Sequence, residues 1–295
     1  MTVPFLQEQI VKANTLIEAL PYIQSFRGKI VVVKYGGSTM NGSNDADTVL
    51  QDVVFMEIVG MKPVVVHGGG LAITRRLEAL GMESTRVNGL RVTDECAMKV
   101  VEDVLFGEIN AAIVDTIGEL GGESAGVSAK ESGVMQVSKQ LAETPEGPVD
   151  IGFVGDVDHI DPAPLIDLVD SGAIPVVAPI GRDAEGQSYN VNADIAAAEI
   201  AVALHAEKLV FLTDVKGILR DAANEHSLLS TVHVREVDEL IASEVIAGGM
   251  IPKVNAGVKS VKGGVHKTHI IDGRIPHAML LEFFTDEGIG TQIVH

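Results

Sequence analysis

Short β-branched runs alternate with stretches of helical periodicity along most of the chain, which signals alternating β and α elements around a largely parallel sheet. The run Lys29 to Val33 (KIVVV) predicts the first strand, ending in Lys34-Tyr35-Gly36-Gly37-Ser38, and a helix is expected over Ala46 to Met61. Pro63 to Val66 predicts a second strand, ending in His67-Gly68-Gly69-Gly70 before a helix from Leu71 to Leu80. Ser84 to Val92 reads as a hairpin, because Asn88-Gly89 suits a two-residue turn that needs positive φ. A long helix is expected over Thr93 to Leu120, with Asp94 and Glu95 in its first turn, where acidic groups suit the helix dipole. Further strands are predicted at Ile174 to Ile180, Leu209 to Thr213, His269 to Ile271 and Ala278 to Phe283, and Asn192 is placed to cap an alanine-rich helix over Ala193 to His205.

Two segments stand apart from this rhythm. At the N-terminus, Val3, Leu6, Ile10, Ala13, Ile17 and Leu20 recur at spacings of three and four, and Pro21 is expected to stop or kink the helix they form. So narrow an apolar seam favours pairing with another subunit over docking on its own body. The polar turn Gly181 to Gly186 separates two βα clusters and marks a lobe junction near residue 180. The expected division is an N-terminal oligomerisation helix (1–25), an N-lobe (26–180) and a C-lobe (181–295).

A chain of 295 residues is long enough for such a two-lobed α/β unit. Its 22 basic and 41 acidic residues give a net charge of -19, which opposes binding to nucleic acid or an anionic membrane. A single cysteine, Cys96, expected to pack on its helix, together with the lack of a leader-like start, points to the cytoplasm. The acidity also means that any anionic ligand must be held by local cations, which can dominate because the field decays over about 8 Å at physiological salt.

The chemistry is concentrated where glycines follow the first two strands. Without Cβ, their N–H groups can approach an oxyanion closely, at the strand ends where open α/β sheets bind ligands. The phosphate-binding pattern GxxxxGK[ST] is absent, since Lys267-Thr268 follows His266, and the dinucleotide pattern GxGxxG/A fails at Ile73. The nine histidines show no zinc-protease spacing, and Asp156, Asp158 and Asp161 lack the glycine and distant glutamate of a calcium loop, which leaves a polar hairpin.

In order along the chain stand Lys34-Tyr-Gly-Gly-Ser, His67-Gly-Gly-Gly, Asn88-Gly-Leu-Arg91-Val-Thr, Asn190-Val-Asn192-Ala-Asp194 and Thr213-Asp214-Val-Lys216-Gly217. With these motifs the sequence resembles the amino acid kinase family and, within it, the arginine-sensitive acetylglutamate kinases. That resemblance implies an open αβα sandwich around a mainly parallel eight-stranded sheet, with N-acetyl-L-glutamate in the N-lobe and ATP in the C-lobe. It implies that Lys34 and Lys253 flank a transferring phosphoryl group and that Asp194 organises them. Gly68, Gly69, Arg91, Asn190 and Asn192 are expected at the substrate; Gly36, Gly37, Thr213, Asp214, Lys216 and Gly217 are expected at the nucleotide. Arg91 should clamp the substrate α-carboxylate. Mg2+ should arrive with ATP, because no cage of carboxylates is evident.

The resemblance further implies a hexamer built as a trimer of dimers through the N-terminal helix, and feedback inhibition by L-arginine. Glu282 would pair with the guanidinium, with Tyr22, His269 and Gly288 around it, and a PII-type regulator is a possible partner. Two alternatives stay open: a sister kinase acting on carbamate, aspartate, glutamate or a nucleoside monophosphate, and a catalytically silent arginine-sensing module like that of some acetylglutamate synthases. Intact Lys34, Asp194 and Lys253 weigh against the second.

Overall fold

The structure, a computed structural model, describes residues 3–36, 45–285 and 288–295. Helix α1 (Val3–Phe26) leads into strand β1 (Ile30–Tyr35), α2 (Asp45–Ile58), β2 (Lys62–His67), α3 (Gly70–Ala79) and a two-residue hairpin, β3 (Arg86–Val87) and β4 (Leu90–Arg91). Next come α4 (Glu95–Glu102), a π-helical segment (Asp103–Asn110), α5 (Ala111–Glu119), β5 (Ser124–Ser128), β6 (Met135–Thr144), β7 (Gly147–Ile160) and α6 (Ala163–Asp170). The remainder is β8 (Ile174–Ala178), β9 (Ile180–Arg182), β10 (Ser188–Val191), α7 (Ala193–Ala203), β11 (Lys208–Thr213), β12 (Thr231–His233), α8 (Val237–Ala242), α9 (Met250–Lys262), β13 (Lys267–Asp272), α10 (Ala278–Phe283) and β14 (Thr291–Val294).

The β-branched runs build one eight-stranded sheet in the order β12-β14-β13-β11-β1-β2-β8-β5. Neighbours are parallel throughout except β13 and β14. Val32, Val66, Val177 and Phe211 point to one face, beneath α7 and α9, while Val33, Val65, Val176 and Leu212 point to the other, beneath α2, α5 and α10. Burial on both faces explains why the strands read as unbroken apolar runs rather than alternating ones. The expected αβα sandwich is therefore present. Strands β6, β7, β9 and β10 close into a small barrel, which β9 joins to the carboxyl end of β8.

Four local expectations are corrected. The helix α1 passes through Pro21 to Phe26, because its last turn is docked: Tyr22 meets Phe284 edge-on at 6.3 Å and Phe26 lies 5.8 Å from Phe283. The segment Ala278–Phe283 is a helix rather than a strand; it has no β-branched residue, and Ala278, Met279 and Phe283 turn one side inward. The helix expected over 93–120 is continuous but changes to π geometry in its middle. Cys96 is exposed, since Ala97, Met98, Val100 and Val101 occupy the inner face of α4.

Candidate functional site

The site assembles at the carboxyl ends of β1 and β2. Lys34 is the fifth residue of β1, paired in register with Val66 on one side and Phe211 on the other, so its side chain leaves the sheet where the chain turns. The adjoining turns touch. A Cβ at Gly36 would lie 3.0 Å from Gly68 N, and the Gly68 N–H donates to the Tyr35 carbonyl at 2.8 Å. Gly37 lies outside the described residues.

Asp194 arrives from α7. Asn192 caps that helix, its Oδ1 accepting from the N–H groups of Asp194 and Ile195 at 2.8 and 3.3 Å, as expected from its position. The alanines at 196, 197, 198 and 201 are buried, which lets α7 lie close on the sheet. Asp194 consequently sits between two ammonium groups, with Lys34 Nζ 3.1 Å from Oδ1 and Lys253 Nζ 2.8 Å from Oδ2. Lys253 comes from α9, a helix not foreseen in the sequence, and its Nζ lies 5.0 Å from the centre of the Phe211 ring. Burial pushes the Asp194 carboxyl upward, but the two lysines outweigh it and hold the group ionised. Burial lowers Lys253 despite the attraction of Asp194, because Lys34 adds a like charge.

A cavity of about 240 Å³ opens beside this cluster. Lys34, Gly68, Gly69, Arg91, Asn190, Asn192 and Asp194 all line it, bringing together residues expected at catalysis and at the substrate. Arg91 is buried and donates to the Gly70 carbonyl at 2.6 Å, to Thr74 Oγ1 at 2.7 Å and to Ser84 Oγ. Burial, with help from Arg86, lowers it to about 10. Arg86, missed in the sequence, also lines the cavity; among the described residues neither guanidinium has a carboxylate within ion-pair distance. The cavity is thus locally cationic in an acidic protein and fits an anion.

Thr213 ends β11, next to β1 in the sheet, and Asp214, Lys216 and Gly217 follow it; none of the four lines that cavity. The Thr213 hydroxyl accepts from Val215 N–H at 3.1 Å and Lys216 pairs with Glu225 at 2.7 Å. Among the described residues no group of three or more His, Cys, Asp and Glu side chains could hold a metal ion, and no helix is long and apolar enough to cross a membrane.

A second cavity, of about 450 Å³, lies on the far side of β11 and β13, lined by Tyr22, Phe26, Lys208, Lys267, His269, Glu282, Gly288 and Gly290 among others. It gathers all four residues expected around arginine. Glu282 accepts from His269 Nδ1 at 2.6 Å and from the N–H groups of Ile289 and Gly290 at 2.7 and 3.1 Å; burial would raise it, yet these partners hold it low and charged. Burial lowers His269, and its Nε2 is buried with no partner. Lys208, also missed, has its Nζ 4.6 and 4.4 Å from the Phe26 and Phe283 ring centres, and burial lowers it to about 8.

The sequence pattern of the Amino acid kinase family matches residues 29–272. This chain belongs to the amino acid kinase family. Within that family it is 52% identical to the acetylglutamate kinase of Heliobacterium modesticaldum over 288 residues, covering 96% of this chain and 98% of that one. It is 49% identical to the acetylglutamate kinase of Carboxydothermus hydrogenoformans over 292 residues, covering 98% and 99%. Such identity over the full family fold makes the chain a kinase. Among solved structures it superposes on the N-acetylglutamate synthase of Neisseria gonorrhoeae complexed with coenzyme A and N-acetyl-glutamate (TM-score 0.84, 27% identity, 96% of this chain). The chain spans 63% of the length of that synthase. The same synthase complexed with coenzyme A and L-arginine gives a TM-score of 0.81.

Proposed function

We propose that this kinase transfers the γ-phosphoryl group of ATP to the side-chain carboxylate of N-acetyl-L-glutamate, a step towards arginine carried out in the cytoplasm. The reading is carried by the Lys34–Asp194–Lys253 cluster at the rim of a cationic cavity, in a chain about half identical to acetylglutamate kinases. The acceptor carboxylate has an ordinary pKa near ~4.3 and needs no general base. One of its oxygens attacks the γ-phosphorus; that O–P bond forms as the bond from phosphorus to the β,γ-bridging oxygen breaks, and ADP leaves. Charge on the three equatorial oxygens is met by Lys34, Lys253 and the glycine N–H groups, while Asp194 keeps the lysines converged. Arg91 receives the substrate α-carboxylate; Asn190 and the amide of Asn192 receive the acetamido region. Mg2+ would supply neutralisation of the ATP phosphates. Both Asp194 oxygens are taken by lysines, so that carboxylate would not be free to hold the ion, which would come with ATP.

The lobes divide at residue 180 into a substrate half and a nucleotide half; ATP meets Thr213, Asp214, Lys216 and Gly217 of the second and the Gly36–Gly37 turn at the border of the first. In support, the sheet order keeps β1, β2, β5 and β8 on one side and β11 to β14 on the other.

L-Arginine inhibits through the second cavity. Its guanidinium meets the Glu282 carboxylate and the bare Nε2 of His269, and its α-carboxylate meets Lys208 or Lys267, a charge pattern complementary to a free basic amino acid. The helix α1 pairs between subunits into a hexamer, with Leu6, Ile10, Leu16 and Ile17 exposed on one chain. A PII-type regulator docks on that ring. The test is an ADP-release assay over a panel of acceptors with and without L-arginine: N-acetyl-L-glutamate should exceed glutamate, aspartate and carbamate by orders of magnitude. Turnover of none of them would favour the silent arginine-sensing reading, which the synthase likeness keeps in view.

A further inference from the structure

The glycine turn after β2 is held from beneath by a network outside the cavity. His67 is fully buried; its Nδ1 lies 3.1 Å from the Gly68 carbonyl and its Nε2 lies 3.1 Å from Asn110 Nδ2. Asn110 Nδ2 also donates to the Val176 carbonyl at 2.8 Å. A carbonyl oxygen only accepts, so the two amide hydrogens of Asn110 serve Val176 and His67, Nε2 is the acceptor, and Nδ1 carries the proton given to Gly68. Burial, which lowers His67 to about 4, keeps this tautomer neutral.

The π-helical segment makes the network possible. In an α-helix of about 3.6 residues per turn, Leu105 and Asn110 would point roughly 140° apart. The wider turn, bonded i to i+5, brings i and i+5 to one side. Leu105 and Ile109 then press on Gly69, where a Cβ would lie 2.4 and 2.7 Å from their terminal methyls, while Asn110 reaches His67. The wall therefore excludes a side chain at 69 and fixes the peptide before it. In a trans peptide the carbonyl and the N–H point opposite ways. With the Gly68 carbonyl turned inward to His67, the Gly69 N–H is turned towards the cavity that Gly68 and Gly69 line, and among the described residues it meets no acceptor.

We propose that His67, oriented by Asn110 from the π-helical segment, is a positioning residue that holds the Gly68–Gly69 peptide with its N–H aimed at the transferring phosphoryl group. This rests on the phosphoryl-transfer reading above. Asparagine places its Nδ2 where histidine has Nδ1, so His67→Asn keeps the bond to Gly68 and gives up Asn110. Glutamine reaches the Nε2 position, so His67→Gln keeps Asn110 and gives up Gly68. Steady-state kinetics and thermal melts of both variants separate the roles. Loss of an aimed N–H donor costs about 10²–10³ in kcat. Accordingly His67→Gln should lose at least ~50-fold in kcat with the acceptor KM within about threefold, whereas His67→Asn stays within about fivefold of wild type. Equal kcat in the two variants, high or low, overturns the proposal, as does a loss that follows melting temperature. Should neither variant fold, the imidazole ¹⁵N spectrum of the wild-type protein decides: Nδ1 protonated and Nε2 bare supports it, and the reverse tautomer ends it. Wild-type turnover on the acceptor panel tests the underlying reaction separately, and the variant ratio can be read with whichever acceptor works.

Discussion

The Nζ of Lys253 lies 2.8 Å from Asp194 Oδ2, joining two residues 59 positions apart in the chain and two helices on the same face of the sheet. The contact fixes an ammonium group that burial alone would push towards neutrality.

Replacing Asp194 by asparagine removes the charge that offsets both lysines. We expect Asp194→Asn to lower kcat by about 10²–10³, the scale of losing an aligned electrostatic contact, in a coupled ADP-release assay. Activity within about threefold of wild type would take Asp194 out of the transfer step.

Arg91 offers a planar fork that lysine cannot copy. Arg91→Lys should raise the acceptor KM by roughly tenfold or more, since hydrogen bonds to charged groups are worth about 1.5–3 kcal/mol, with a smaller change in kcat. An unchanged KM across initial-rate curves would assign the clamp elsewhere, with Arg86 the next candidate.

In the second cavity, Glu282→Gln keeps shape but removes charge. The concentration of L-arginine giving half inhibition should rise roughly 10- to 100-fold, the equivalent of a charge-assisted hydrogen bond. An unaltered inhibition curve would mean that arginine does not use this carboxylate.

On the proposed reading of the second cavity, Lys208 should make the binding of L-arginine depend on pH. With the ammonium lowered to about 8, its charge is lost as pH rises through that value, so arginine should bind less tightly at pH 9 than at pH 7 by calorimetry. The stability sign is opposite. Between about 8 and the ordinary lysine value near ~10.4 the unfolded chain holds the proton that the folded chain has released, so this group's contribution to stability rises with pH across that window. Lys208→Met should flatten the arginine profile.

Gly152 carries φ +79°, and a Cβ there would lie 2.1 Å from the Thr93 carbonyl oxygen. Backbone cannot yield as a side chain can, so Gly152→Ala should destabilise by about 2–4 kcal/mol in urea unfolding.

The central strands and the helix capped by Asn192 were legible because each carries a local signal, a β-branched run or a capping asparagine before an alanine-rich stretch. Helix α9 was not read, since Lys253 lies in MIPKVNAGVKSVK, where proline and three valines blur the helical pattern and only its packing against α7 and β13 decides. The short apolar run at 278–283 was read as a strand because length and hydrophobicity do not separate a buried strand from one buried helical turn. Lys34, Asp194 and Lys253 were found through motif likeness, not local pattern. Arg86 and Lys208 escaped because nothing in the residues beside them marks a surface lysine or arginine as facing a cavity. The π-helical turn depends on what Asn110 reaches across the sheet, which no spacing in the sequence encodes.

The helix α1 has two ends with different duties: Leu6 and Ile10 stand in solvent at one, while Tyr22 and Phe26 form a wall of the Glu282 cavity at the other. A rod of this kind is a lever. Any occupant of the cavity that tilts it, and any neighbour gripping its outer turns, must change each other's hold by the same factor, since a coupling free energy works equally in both directions.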